Sequence, residues 1–317
     1  MTKPLKVAVV GAGAFGIQHL DAISSLGEAE VVSLVGRDLR KTREVAGRYG
    51  IPQASVELDD VLAQPEIEAV ILCTPTPLHA GQAIACMQAG KHVQVEIPLA
   101  DSLDDAETVE LWQQRTGLIA MCGHTRRFNA GHQWLRERIL TGEFSLRQLD
   151  VQTHFLRRFN LNALGQPRSW TDHLLWHHAA HTVDLFQYQT GEEVIAANAL
   201  QGPIHPTLGI ALDMSIQLKS RGGALCTLSL SFNNDGPFGS TFRYIGDGLT
   251  YIARYDELTN GTGESLELDL PEPVLGGVAR QDHEFFTAIR EGREPNASVA
   301  SVLPCYRVLH KLARQLG

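Results

Sequence analysis

The stretch Val7-Ala8-Val9-Val10-Gly11-Ala12-Gly13-Ala14-Phe15-Gly16 decides the fold. A β-branched apolar run closes on Gly-x-Gly-x-x-Gly, and a helix-compatible segment follows. That order specifies a strand, a tight turn and a helix whose first N–H groups face a pyrophosphate. Gly11 suits the turn. Gly13 lets the backbone approach phosphate, and Gly16 lets helix and strand pack closely. With Ala14 and Phe15 at the helix start, the motif predicts a bound dinucleotide.

Working outward, the second strand ends in an unusual way. An NAD site places Asp or Glu there, on the ribose hydroxyls. Here Val31-Val32-Ser33-Leu34-Val35 runs into Gly36-Arg37-Asp38. Gly36 stands where the carboxylate belongs, which removes repulsion against a 2′-phosphate. Arg37 adds a planar cation that can grip such a phosphate, with Arg40 and Lys41 close behind. The pattern predicts NADP ahead of NAD. The plainer alternative is that Arg37 is a solvated loop residue and Asp38 binds the ribose.

Strands read at Lys6–Val10, Ala29–Val35, Ala69–Cys73, His92–Glu96 and Ile119–Cys122. Helices read near Ala14–Ser24, Leu39–Tyr49, Leu78–Ala89 and Leu103–Thr116. This alternation predicts a parallel, doubly wound sheet over residues 1–122. Such sheets bind ligands beyond the carboxyl ends of their strands. Thr74-Pro75-Thr76-Pro77 with His79, Glu96-Ile97-Pro98, and Gly123-His124-Thr125-Arg126-Arg127 therefore gain weight. After residue 122 the pattern changes to period two. Leu212, Met214, Ile216 and Leu218 alternate with polar residues, as do Cys226, Leu228, Leu230 and Phe232. Residues 123–317 are thus expected to form a second α/β domain with a large, mostly antiparallel open sheet. A helix is expected from about Asp172 to Thr190, and a closing one from Val302 to Leu316. A cleft is expected between the two domains.

Composition narrows the partners. The chain has 317 residues, is 44% hydrophobic and carries a formal net charge of −9. Two ordinary domains fit that length. The acidic balance argues against nucleic acid or an anionic membrane. No signal peptide or membrane span is expected. The five cysteines lack a Cys-x-x-Cys spacing and read as reduced, cytoplasmic thiols. Cys73 and Cys122 end strands, and both read as structural thiols rather than as the nucleophile of a thiohemiacetal mechanism.

The chemistry is expected in a histidine segment. His173, His177 and His181 share one face of an ideal helix, and Asp184 lies within reach of His181. A histidine near neutrality, oriented by a carboxylate, suits removal of a hydroxyl proton as hydride leaves. His181 or His177 is the expected base, and His178 is expected to be packed or solvated. His-x-x-x-His spacing also suits zinc, but no zincin glutamate or nearby cysteine supports it, so no metal is expected. Arg126-Arg127, Arg157-Arg158 and Arg168 flank the loop Phe159–Trp170. In an acidic protein they point to an anionic substrate carrying more than one carboxylate. Arg127, Arg157, Arg158 and Arg168, with His124, Trp170 and His173, are the expected substrate residues.

Four motifs together carry a resemblance over essentially the whole length. They are Gly11–Gly16 with His19, Thr74-Pro75-Thr76-Pro77-Leu78-His79, Arg127-Phe128-Asn129, and His181-Thr182-Val183-Asp184. The chain resembles the glucose-fructose oxidoreductase and inositol dehydrogenase family. That resemblance implies a Rossmann domain and a C-terminal sheet used for pairing, here into a homodimer. It also implies hydride transfer with a nicotinamide, His181 matching the catalytic histidine. Two positions depart from the pattern. Ile97 stands where sugar-oxidising members carry the lysine of Glu-Lys-Pro, and His177 stands where they carry an aspartate. The departures point away from ordinary sugar oxidation. They suit either a non-catalytic sensor or a substrate that gives up hydride more readily. A cyclic hemiacetal is such a substrate, since its oxidation product is a resonance-stabilised lactone.

Overall fold

A computed structural model describes residues 3–161, 165, 167, 171–268 and 275–316. The chain opens with β1 (Leu5–Val10), α1 (Ala14–Leu26), β2 (Ala29–Val35), α2 (Leu39–Tyr49), β3 (Gln53–Ser55) and α3 (Asp59–Leu62). It continues through β4 (Ala69–Leu72), α4 (His79–Gln88), β5 (His92–Val95), α5 (Leu103–Thr116) and β6 (Ala120–Cys122). The six strands form one parallel sheet in the order β3-β2-β1-β4-β5-β6. The order reverses between β1 and β4, which is where such sheets hold a ligand. Val7, Ala8 and Val9 of β1 and all of β4 are fully buried. Helices covering both faces make these strands continuous apolar runs rather than alternating ones.

The second set of elements begins with α6 (Ala130–Thr141) and β7 (Leu146–His154). A π-helical turn, Leu174–Ala179, leads directly into α7 (Ala180–Thr190). Then come β8 (Val194–Gln201), β9 (Asp213–Ser220), β10 (Leu225–Ser231), β11 (Gly239–Gly246), β12 (Thr250–Arg254) and β13 (Glu257–Asn260). They form a sheet in the order β13-β12-β11-β7-β10-β9-β8. Every pairing is antiparallel except β7 with β10. Met214, Ile216 and Leu218 are buried, while Asp213, Ser215, Gln217 and Lys219 face water. This is the period-two signature of a sheet covered on one side. The chain ends with α8 (Gly277–Glu291) and α9 (Val299–Leu316).

Among the described residues there are two compact units. One takes the chain up to Gly123 together with Val278–Leu303, and the other takes mainly His124–Gly277 and Pro304 onward. The composition differs from a linear division at 122/123. Asp282 of α8 meets His19 of α1 and accepts a hydrogen bond from Gln94 of β5, which ties α8 to the parallel sheet. Such long-range polar pairing leaves no periodic trace in sequence. No helix among the described residues is long and apolar enough to cross a membrane.

Candidate active site

The three glycines of the first turn are there for separate reasons. Gly11 has φ +120°, and a Cβ there would strike the Cys73 carbonyl. At Gly16 a Cβ would strike the Gly11 carbonyl. Gly13 faces open space, with nothing within 4 Å of an added Cβ. It caps α1 without any side-chain hydrogen bond. The N–H groups of the first helical turn have no intrahelical partner and are available to an anion. Ala14 is partly exposed and Phe15 is exposed beside them. This cradle fits a dinucleotide pyrophosphate.

At the end of β2, Gly36 has a packing reason to lack a side chain. A Cβ there would collide with Thr42 Oγ1 and press on Ala12. Asp38 is spent as the N-cap of α2, accepting the Lys41 N–H at 3.1 Å. That bond holds its carboxyl below the usual range. Arg37 is exposed, and no ion pair involves it among the described residues. Arg40 is turned to Glu44 at 2.9 Å.

The loops after β4 and β5 are braced from within. His79 is buried with Nδ1 2.6 Å from the Pro98 carbonyl and Nε2 2.7 Å from the Thr74 carbonyl. It joins the two loops and so holds Thr74, Pro75, Thr76, Ile97 and Pro98 in place. Thr74 Oγ1 also donates to Gln82. Glu96 points inward, 3.2 Å from His19 Nε2 and accepting from Gln281 at 3.1 Å. His79 and Glu96, expected to bind the cofactor, are both engaged by protein partners in the fold. His19 lies between two acids, its Nδ1 2.9 Å from both oxygens of Asp282. Burial is the largest effect and opposes its charge, but Asp282 and Cys73 together outweigh it, and the imidazole is raised well above its ordinary value.

In the second unit the histidine segment takes a shape that ideal helical geometry does not give. His173 is extended (φ −89°, ψ 135°) and caps the π turn, its Nδ1 accepting the Leu175 N–H at 3.1 Å. The wider turn sets His177 and His178 side by side, their rings 4.9 Å apart. His178 packs on Phe155 and Phe232. His181 meets His177 at 6.3 Å and His124 at 6.5 Å, both edge to face. The single face shared by His173, His177 and His181 is thus replaced by a cluster of His124, His177 and His181. Burial first, then Arg126 and the neighbouring histidines, push His181 well below the usual imidazole range. It is a neutral imidazole whose Nδ1 has no hydrogen-bond partner among the described residues.

Asp184 does not orient His181. It accepts two hydrogen bonds from Arg127, at 2.8 Å from Nε and 2.6 Å from Nη2, and lies 3.3 Å from His124 Nδ1. Arg127 also lies over the Tyr188 ring at 4.9 Å. Arg127, expected to bind substrate, is thus held by an acid of its own fold. Arg157 is paired with Asp172 at 2.6 Å and lies over Phe232. Arg158 is exposed and donates to the Phe232 carbonyl and the Asn233 side chain. Arg168 and Trp170 lie outside the described residues. Arg126, to which sequence spacing gave no separate role, is half-buried over Phe242 and Tyr255.

One trio has the donor set of a metal site. Ligand atoms of Asp172, His177 and His178 lie within 4.8 Å of one another. Arg157 already holds Asp172 Oδ2 at 2.6 Å. A cation there would share the Asp172 carboxylate with a guanidinium, whose positive charge opposes a metal at this donor set. Burial raises Cys73 and pushes Cys86 up to about 12, away from a reactive thiolate.

The fold and this equipment define a nicotinamide-dinucleotide-dependent oxidoreductase with a Rossmann unit. Residues 5–124 match the model of the GFO/IDH/MocA oxidoreductase family with its NAD-binding Rossmann fold, and residues 130–271 match that of bacterial oxidoreductase C-terminal regions. A relative from Sphingobium sp. (strain NBRC 103272 / SYK-6), 4-carboxy-2-hydroxymuconate-6-semialdehyde dehydrogenase, is 59% identical over 98% of this chain and 99% of its own. The scyllo-inositol 2-dehydrogenase (NAD(+)) of Bacillus subtilis (strain 168) is 28% identical over 93% of this chain and 89% of its own. Among solved structures, levoglucosan dehydrogenase in complex with NADH and levoglucosan superposes with a TM-score of 0.86 at 20% identity. That match covers 99% of this chain and 97% of the other. The chain belongs to the GFO/IDH/MocA family of oxidoreductases.

Proposed function

We propose that this enzyme oxidises the cyclic hemiacetal of 4-carboxy-2-hydroxymuconate-6-semialdehyde to the lactone 2-pyrone-4,6-dicarboxylate, with NADP as acceptor, in aromatic-ring degradation. The observation that carries the reading is the 59% identity, end to end, with a dehydrogenase named for that substrate. Two residues agree with it. Ile97 is buried and cannot move a proton, and His177 replaces the aspartate of the sugar-oxidising pattern. A bound nicotinamide supplies the hydride acceptor. The ring carbon gives up hydride while its hydroxyl gives up a proton, and the C–O bond becomes the lactone carbonyl. His181 takes that proton on a ring nitrogen, which its neutral state permits. His177 and His124 flank it edge-on and fix its ring. Arg127 and Asp184 hold the wall against which His124 rests. Arg37 holds the 2′-phosphate.

We further infer that two chains pair through the second sheet, whose strands expose Ile195, Leu200 and Leu225. Sedimentation equilibrium reads that state. The test of the reaction is absorbance at 340 nm with NADP⁺ and the hemiacetal, with the lactone identified by mass. Turnover with inositols or sugars, and none with the hemiacetal, would replace this reading by a polyol dehydrogenase.

A further inference from the structure

We propose that Arg126, and not its neighbour Arg127, is the anchor for a substrate carboxylate beside His181. The inference rests on the dicarboxylate reading of the same site. Consecutive arginines on the turn Thr125–Arg127 face different surroundings. Arg127 has its acid in Asp184. Arg126 has none within ion-pair distance among the described residues. Its one protein hydrogen bond there runs from Nη1 to Asn129 Oδ1, at a long 3.3 Å. Its Nε–H is buried and unpartnered among the described residues. Burial lowers Arg126, and Tyr255, Asp256 and Tyr244 face it without forming an ion pair among the described residues; Asp256 has Oδ1 engaged by Asn129 Nδ2 at 2.9 Å and the Ala130 N–H at 3.2 Å. The guanidinium rests over two ring faces, Phe242 at 5.5 Å and Tyr255 at 5.1 Å, which fix its plane. A desolvated cation with an idle donor is costly unless an anion completes it.

The same cation explains the state of its neighbours. Burial first, and then Arg126, lower both His181 and His132, the latter to about 3. His124, His177 and His178 also face His181, and none of them brings negative charge. A carboxylate arriving on Arg126 cancels that field. His181 then becomes a stronger base when the anionic substrate is in place. Binding and proton abstraction are coupled through one side chain.

The test uses the whole enzyme with Arg126→Met and Arg126→Lys. The probes are isophthalate, whose two carboxylates sit meta on a six-membered ring, and benzoate, which has one. Affinities are read by calorimetry in the presence of NADP⁺. Arg126→Met is expected to weaken isophthalate by roughly 10- to 150-fold, the range of one charge-assisted contact. NADP⁺ affinity is expected to stay unchanged. The acid limb of kcat/KM is expected to move to higher pH, because His181 loses its cationic neighbour. Arg126→Lys keeps the charge and is expected to keep the limb in place, with intermediate affinity. Unchanged isophthalate affinity in Arg126→Met, in a variant whose circular dichroism matches wild type, would overturn the anchor. Should Arg126→Met not fold, isophthalate affinity in Arg126→Lys equal to wild type would overturn it as well. The binding arm needs no turnover. Loss of isophthalate affinity in an enzyme that does not oxidise the hemiacetal would keep the anchor and refute the reaction.

Discussion

Arg127 and Asp184 form a buried bidentate pair, closed by hydrogen bonds of 2.8 and 2.6 Å from one guanidinium to one carboxylate. Removing either partner leaves a charge without water and without a counter-ion. Such losses cost about 3–5 kcal/mol. Arg127→Ala and Asp184→Ala are each expected to lower the unfolding free energy, read from urea denaturation, by that much. The joint change Arg127→Met with Asp184→Leu is expected to restore most of it. An Arg127→Ala variant as stable as wild type, weakened only in substrate affinity, would return Arg127 to the substrate.

The proton acceptor is tested by His181→Ala. General-base assistance contributes about 10²–10⁴-fold. The variant is expected to lose at least about 10² in kcat and to bind NADP⁺ as before. Burial, Arg126 and the neighbouring histidines place the His181 pKa well below 6.5. The base form therefore predominates at neutral pH. In wild type kcat/KM is expected to rise with pH through the acid range and to be flat by pH 7. A limb centred at or above 6.5, or one that survives in His181→Ala, would assign the base to another group, with His177→Ala as the next variant.

Cofactor choice is read from Arg37 alone. Gly36→Asp would drive a Cβ into Thr42 and confound the result. Arg37→Ala is expected to lower the NADP-to-NAD ratio of kcat/KM by roughly 10- to 150-fold, one phosphate contact. An unmoved ratio would mean that no 2′-phosphate rests on Arg37.

Stability should carry a pH signature from His19. Its pKa is raised above 6.5 in the folded state by Asp282, against burial. Glu96 and Cys73 face it as well. A raised pKa means stability fully present below 6.5 and lost as pH rises through the folded value. Wild type is expected to lose urea resistance through that window above neutrality. His19→Gln is expected to be weaker at pH 6 and to lack the slope. Parallel profiles in the two proteins would show that His19 is not charged in the fold.

Elemental analysis tests the trio Asp172, His177 and His178. The Arg157–Asp172 pair predicts no stoichiometric zinc and full activity after dialysis against EDTA. One zinc per chain, with activity lost on its removal, would displace the proton-transfer role of the histidine cluster.

Local chemistry alone determined the first unit's course. Gly11 is required by its positive φ and Gly16 by the Gly11 carbonyl in the same turn, while Gly13 faces open space, and β1 and β4 are apolar because both faces are covered. The buried end of β2 followed from its apolar run in the same way, whereas β9 and β10 followed from alternation, since their side chains' burial repeats with the pleat. The short β3, the edge strand β8 and the helix α6 carry weaker periodicity and were not legible. Ideal spacing also misplaced the histidines, because one π turn rotates everything that follows it. Tertiary structure alone decided which arginine meets which acid. Arg126 and Arg127 are identical in sequence context to one residue, yet Asp184 lies fifty-seven positions on. Only the fold brings that carboxylate to one guanidinium and leaves the other facing rings and a neutral histidine. An ion pair forms where distance permits, and distance between side chains remote in sequence is set by packing.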